Sequence, residues 1–303
     1  MKLALLFSGQ GSQSVGMGKE FYESNEQSKK IFDISGKAIK KLCFEGPKEE
    51  LDLTQNTQPC MYVATMAAYY AFIERIDIQP YAVAGFSLGE YSALTAAGVF
   101  SFEQGLALVQ KRATWMSQEA RGGMAAVLGA DKATVNALIE KVEDTGILCG
   151  VNYNCPGQIV VAGEDGPLNK FIELAQLEGL KSVKLAVSGA FHSPLMLPVK
   201  EKLAAELEKM ALNQPTVKVV SNIDATYYTM QNMKANIAVQ VASPVYWEDT
   251  IQRMIADGVD TMIEIGCGKT LCGFMKRIDK SIKVCYVEDM KSLQTTVDFL
   301  KGV

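Results

Sequence analysis

Short apolar runs alternate with longer amphipathic stretches along most of this chain. Leu3 to Phe7 is unbroken hydrophobic sequence that ends in a glycine loop, the pattern of a buried strand. Ser24 to Leu42 has helical spacing, and Pro59 to Ile73 reads as an apolar helix with Pro59 in its first turn. Tyr81 to Ala84 is a second strand-length run, followed by the helical stretches Leu88 to Ala97 and Phe102 to Glu119. Buried strands alternating with helices predict an α/β fold with a largely parallel sheet.

The middle of the chain has a different rhythm. Met124 to Leu128 is a strand, Lys132 to Val142 a helix, and Ile147 to Asn152 a strand; Gln158 to Ala162, Pro167 to Leu177 and Ser182 to Val187 repeat strand, helix, strand. That βαββαβ order is the ferredoxin-like unit. It opens after Gly122-Gly123 and closes before Ser188-Gly189, so the expected organisation is a small subdomain, 124–189, inserted into a large one formed by 1–123 and 190–303. The large part resumes with helix Leu197 to Lys209, strand Val217 to Ser221, helix Tyr246 to Asp257, strand Thr261 to Ile265 and a last helix from Ser292.

Composition narrows the class. At 303 residues, 48% hydrophobic and 21% charged, the chain has ample material for a large core. A net charge of −4 argues against non-specific nucleic-acid binding. Leu53 to Ile73 carries no charge, but Gln55, Asn56, Gln58 and Pro59 leave only about fourteen apolar-rich residues, which suits a buried helix and not a membrane span. Seven cysteines without framework spacing point to a reducing, cytoplasmic setting, and a single histidine makes a structural zinc site improbable. A monomer is taken as the default state.

The most specific local signal is Gly85-Phe86-Ser87-Leu88-Gly89-Glu90, a G-x-S-x-G pattern between a strand and a helix. This is the nucleophile elbow, which lifts a serine out of the sheet with the next N–H facing it; the alternative is a helix-capping serine. A serine hydroxyl needs a base, and His192 is the only histidine available. A group to orient the imidazole is less legible: Asp131, Glu140, Asp144 and Asp165 all fall in the inserted unit, and a backbone carbonyl would also serve. Gly9-Gln10-Gly11-Ser12-Gln13 follows the first strand and lacks a Walker ending, so it reads as a source of a second oxyanion donor beside the Leu88 N–H. Arg112 borders an apolar face formed by Phe102, Leu106, Val109, Ala113 and Met116. On spacing alone it lifts its charge to solvent; pointing inward beside Ser87, it would grip a carboxylate at two points.

These elements occur in order with Thr57-Gln58-Pro59, Asn152 to Gly163, Gly189 to His192, Pro244 to Trp247 and Glu264 to Lys269. Together they resemble the malonyl-CoA:acyl carrier protein transacylase family over nearly the whole chain. The resemblance implies a hydrolase-like large subdomain carrying a ferredoxin-like small one. It implies ping-pong transfer of malonyl from malonyl-CoA, through an ester on Ser87, to the phosphopantetheine thiol of an acyl carrier protein in fatty acid synthesis, with no cofactor.

His192 would be base and then acid, the N–H groups of Gln10 and Leu88 the oxyanion hole, and Arg112 the partner of the malonyl carboxylate. Asn152 would bind substrate. Phe191 would exclude an α-methyl group, and the carbonyl that holds His192 would fall on Tyr246. Phe86 stands where the family usually has histidine, Ser8 and Cys267 where it has proline. Lys181, Lys184, Lys269 and Lys276 are candidates to meet an acidic carrier. A discrete acyltransferase serving a polyketide synthase is the nearest alternative reading, and a serine esterase a more distant one that leaves Arg112 without a purpose.

Overall fold

The computed structural model describes residues 1–302. Nine strands form two sheets: β1 (Leu3–Phe7), β2 (Ala82–Gly85), β3 (Gly123–Leu128), β4 (Leu148–Cys155), β5 (Gln158–Gly163), β6 (Lys181–Lys184), β7 (Lys218–Val220), β8 (Thr261–Ile265) and β9 (Lys283–Val287). The larger sheet has the order β7-β2-β1-β8-β9 and is parallel at every pairing. Every residue of β1, β2 and β8 is buried. Helices cover both faces of such a sheet, which is why its strands are continuous apolar runs.

The chain leaves β1 for β2 on one side and meets β8 on the other. Ligands of open parallel sheets gather at the carboxyl ends of the strands flanking such a switch. Here those ends carry the Gly9 loop after β1, Ser87 after β2 and Gly266 after β8.

The smaller sheet, β4-β5-β3-β6, is antiparallel, and two helices, Lys132–Glu140 and Asp165–Leu177, share a separate apolar core with it. This is the ferredoxin-like order expected from the βαββαβ rhythm. Where the chain leaves the large sheet and returns, the Ala190 N–H donates to the Arg121 carbonyl at 3.0 Å. Among the described residues, no helix is long and apolar enough to cross a membrane.

Two element readings change. A separate helix, Lys19–Ser24, precedes the one expected over Ser24 to Leu42, which is itself divided into Glu26–Ser35 and Lys37–Glu45. Asn25 is extended and caps the first of these two pieces through Ser28 N–H, and Gly36 breaks the second away at φ 90°. The apolar helix begins at Thr54, so Pro59 sits in its second turn. The Leu53 carbonyl accepts from both Asn56 and Thr57 N–H, which secures a first turn ahead of the proline.

Helix Thr270–Ile278 and strand β9 have no counterpart in the sequence reading. That helix starts on a buried carboxylate: Glu264 accepts from the Leu271 and Cys272 N–H groups at 3.1 and 2.7 Å.

Candidate active site

The elbow is built from backbone contact. A Cβ on Gly85 would overlap the Gly89 backbone, and one on Gly89 would overlap the Phe7 carbonyl. Only glycine at both positions lets the helix Leu88–Ala96 start this close to β1 and β2. Ser87 is held at φ 52°, ψ −101°, a conformation unfavourable for a residue with a Cβ. Its N–H donates to Asn222 Oδ1 at 2.8 Å, and Asn222 Nδ2 donates to the Gly85 carbonyl at 2.7 Å.

His192 also has positive φ, 63°, and its N–H donates to the Val241 carbonyl at 3.0 Å. Its Nε2 lies 2.7 Å from Ser87 Oγ. Its Nδ1 lies 2.9 Å from the Gln240 carbonyl and 3.2 Å from the Ser243 carbonyl. Carbonyls only accept, so Nδ1 carries the proton and Nε2 turns its lone pair toward the serine. Burial, reinforced by the Arg112 charge, pushes the ring down to about 4, against the pull of those two carbonyls. At neutral pH the imidazole is therefore a free base.

The carbonyl assigned to Tyr246 is not the one that holds His192. The helix Trp247–Ala256 begins at the next residue, and its first turn takes the Tyr246 carbonyl, which accepts from Thr250 N–H at 2.9 Å. The Tyr246 ring stacks on Tyr153 at 5.2 Å and 5°, away from the cavity lining. None of the four acidic candidates is needed, because Gln240 and Ser243, just upstream, supply the acceptors.

Arg112 does not lift its charge to solvent. It is 1% exposed, with Nη1 donating to Gln58 Oε1 at 2.6 Å and Nη2 to both Ser87 Oγ and Gln240 Oε1 at 3.1 Å. Its Nε has no partner. Neutral oxygens thus surround a buried cation beside the serine. The same helix face that packs on the core through Leu106, Val109 and Ala113 carries the guanidinium into the site.

A cavity of about 240 Å³ opens on this cluster. Gln10, Gln58, Arg112, Met116, Met124, Asn152 and Phe191 are among the residues that line it, together with Ser87 and His192. The N–H groups of Gln10 and Leu88 donate to no other group among the described residues, which leaves both available to an oxyanion. Asn152 is buried with its Oδ1 unpartnered. Phe86 has a clear packing reason: its ring meets Trp247 edge-on at 5.4 Å and Phe274 at 6.1 Å, joining the apolar layer under the elbow. Ser8 donates to Glu264 Oε1 at 3.2 Å, so the hydroxyl extends the cap on the helix Thr270–Ile278.

Three residues in the site were not singled out from the residues alone. Gln240 is a lone polar residue in an apolar run, and Asn222 follows the end of β7; both positions were the available signals. Glu90 was quoted only as part of the elbow, yet it is fully buried, and burial pushes its carboxyl up to about 8. Lys184 and Lys269 are engaged with Asp165 and Glu288 at 3.5 and 3.2 Å.

A serine hydroxyl paired to a neutral imidazole, two open N–H donors and a buried cation make an arrangement suited to transferring an anionic acyl group. Comparison with known proteins agrees. Residues 4–296 match the acyl transferase domain family. The chain is 41% identical to the malonyl CoA-acyl carrier protein transacylase of Bacillus subtilis, over 99% of this chain and 98% of that one. The crystal structure of a malonyl CoA-acyl carrier protein transacylase from Clostridium perfringens superposes with a TM-score of 0.95 at 42% identity, covering 100% of this chain and 98% of that one. A malonyl-transacylase solved in complex with a type II polyketide acyl carrier protein superposes with the same TM-score at 33% identity, covering 99% of this chain and all of the other. Whole-length identity of this size on the same fold makes this chain an acyltransferase of the malonyl CoA-acyl carrier protein transacylase family.

Proposed function

We propose that the chain transfers malonyl from malonyl-CoA to the phosphopantetheine thiol of an acyl carrier protein, through an ester on Ser87. Ser87 Oγ attacks the thioester carbonyl while His192 Nε2 takes its proton. The Gln10 and Leu88 N–H groups receive the oxyanion. Collapse breaks the C–S bond, and His192 returns the proton to the departing CoA thiolate. The carrier thiol then repeats the steps in reverse order, so Ser87 regains its proton. Arg112 receives the malonyl carboxylate, and Asn152 and Phe191 border the acyl group. Family membership and the seven unpaired cysteines support action in a reducing compartment.

The observation that carries this reading is the Arg112 guanidinium, buried and 3.1 Å from Ser87 Oγ. An esterase for neutral substrates gains nothing from a buried cation there and bears its desolvation cost. Intact mass after incubation with malonyl-CoA is the direct test. One malonyl adduct, absent in Ser87→Ala and discharged by a holo carrier protein, supports the reading; an adduct that persists in Ser87→Ala overturns it. Discharge by fatty acid and polyketide carriers compared side by side decides which carrier the enzyme serves.

A further inference from the structure

Glu90 is 1% exposed, touches no cation, and has no part in the transfer chemistry. A buried carboxyl without a task is costly. Its Oε1 accepts from the Asn222 N–H at 2.7 Å, and its Oε2 accepts from Gln240 Nε2 at 2.8 Å. Gln240 Nε2 also donates to the Ser87 carbonyl at 2.7 Å, and Gln240 Oε1 accepts from Arg112 Nη2.

A side-chain amide can face either way, and its neighbours decide. The Ser87 carbonyl and the Glu90 carboxyl oxygen both take a donor here, so they claim the nitrogen of Gln240 and leave its oxygen for Arg112. The guanidinium fork is then fixed at two corners, by Gln58 at Nη1 and by Gln240 at Nη2. Two corners define its plane, and the plane sets how its remaining donors meet a carboxylate.

We propose that Glu90, acting through the side chain of Gln240, is a positioning residue that sets how Arg112 meets the acyl carboxylate, and so helps set the preference for malonyl over uncharged acyl groups. This rests on the reading of Arg112 given under the proposed function. The role differs from that of the Gln240 carbonyl, which holds His192 and survives any change of side chain.

The test is the ratio of kcat/KM for malonyl-CoA to that for acetyl-CoA, with an acyl carrier protein as acceptor. Both values come from one preparation, so the ratio is independent of the folded fraction. In Glu90→Gln the new amide presents donors to Gln240 and turns it, placing N–H groups against Arg112. In Gln240→Leu the link is absent. Each is expected to lower the ratio about tenfold, chiefly by raising KM for malonyl-CoA and less through kcat. Arg112→Ala is measured beside them. If it loses the preference while both other variants keep it, the grip on the carboxylate stands and the Glu90–Gln240 proposal is overturned. If Arg112→Ala itself keeps the preference, the grip falls and this proposal falls with it.

Discussion

Arg112 Nη2 and Ser87 Oγ lie 3.1 Å apart, so one buried cation touches the hydroxyl that the proposed mechanism makes the nucleophile, and in that proposal it also receives the far end of the acyl group. The two jobs are compatible because a guanidinium offers five donors in one plane. Arg112→Ala is expected to lower kcat/KM for malonyl-CoA by about a hundredfold or more, while uncharged acyl-CoA esters lose much less or gain. Competition between malonyl-CoA and acetyl-CoA for the serine, read by intact mass, checks this; unchanged competition contradicts it.

The buried imidazole should show in the pH profile. His192 titrates at about 4 instead of its ordinary 6.5, so the base stays unprotonated through mildly acid solution. The acid limb of kcat/KM for malonyl-CoA is expected near 4, with activity level from pH 7 down to about 5. Removing the Arg112 charge relieves part of the push, so Arg112→Ala should move that limb upward. A wild-type limb at 6.5 contradicts the assignment of a neutral, desolvated base.

Glu90 has the opposite sign of linkage. Its carboxyl goes from 4.5 when exposed to about 8 in the folded protein, so in between the native state holds a proton that the unfolded chain has released. Stability from this group is greatest at the acid end and is lost as pH rises through about 8. His192 opposes this near pH 6.5, where the unfolded imidazole is half protonated and the native one is not; that contribution is the same in Glu90→Gln and fades above about pH 7.5. Between pH 6.5 and 8 the Glu90 contribution to unfolding free energy should fall with pH by up to about 1.4 kcal/mol per unit, and Glu90→Gln should remove it. Urea titrations at pH 6.5, 7.2 and 8 measure the slope; equal slopes in both proteins would refute it.

Gly89→Ala puts a methyl group against the Phe7 carbonyl, where backbone and not a flexible side chain must yield. We expect a loss of about 3 kcal/mol or more, together with loss of serine reactivity. Denaturant midpoints and labelling by a serine-directed phosphonate check the two halves separately.

Phe86→His restores the residue usual in the family. The imidazole would lose apolar contact with Trp247 and Phe274, at a cost of about 1–2 kcal/mol. Phe86 lines the same cavity but supplies no hydrogen bond to the Ser87–His192 pair, so kcat should stay within about threefold. A large fall in kcat without a fall in stability would give Phe86 a role beyond packing.

Much of this site was legible because its chemistry is tied to patterned sequence. The elbow announces itself by two glycines at fixed spacing, and His192 by being alone. The fold class followed from strand-length apolar runs, and the smaller sheet from its βαββαβ rhythm. What was not legible depends on single polar residues brought from afar. Asn222 and Gln240 reach the elbow from over a hundred positions away, and their local signals, a position just past a strand and a polar residue in an apolar run, do not say what they meet. Arg112 misled for a related reason: spacing shows the edge of an apolar face but not what lies beyond it. Tyr246 misled because the resemblance placed the acceptor within the Pro244 to Trp247 segment, whereas the carbonyls that hold His192 come from Gln240 and Ser243 just before it. Helix Thr270–Ile278 was missed because its first turn depends on Glu264, a residue of another element.

His192 is held by two main-chain carbonyls, and the donors proposed for the oxyanion are main-chain N–H groups. At Leu88 and Ser243 the proposed chemistry therefore depends on where the backbone runs and not on which side chain it carries. Substitutions that preserve the path are free to accumulate there, while in the proposed mechanism changes at Arg112, Phe191 and their neighbours alter which acyl group is taken. Selectivity and reactivity can then diverge independently among descendants of one fold, and a search by residue identity will overlook half of the machinery.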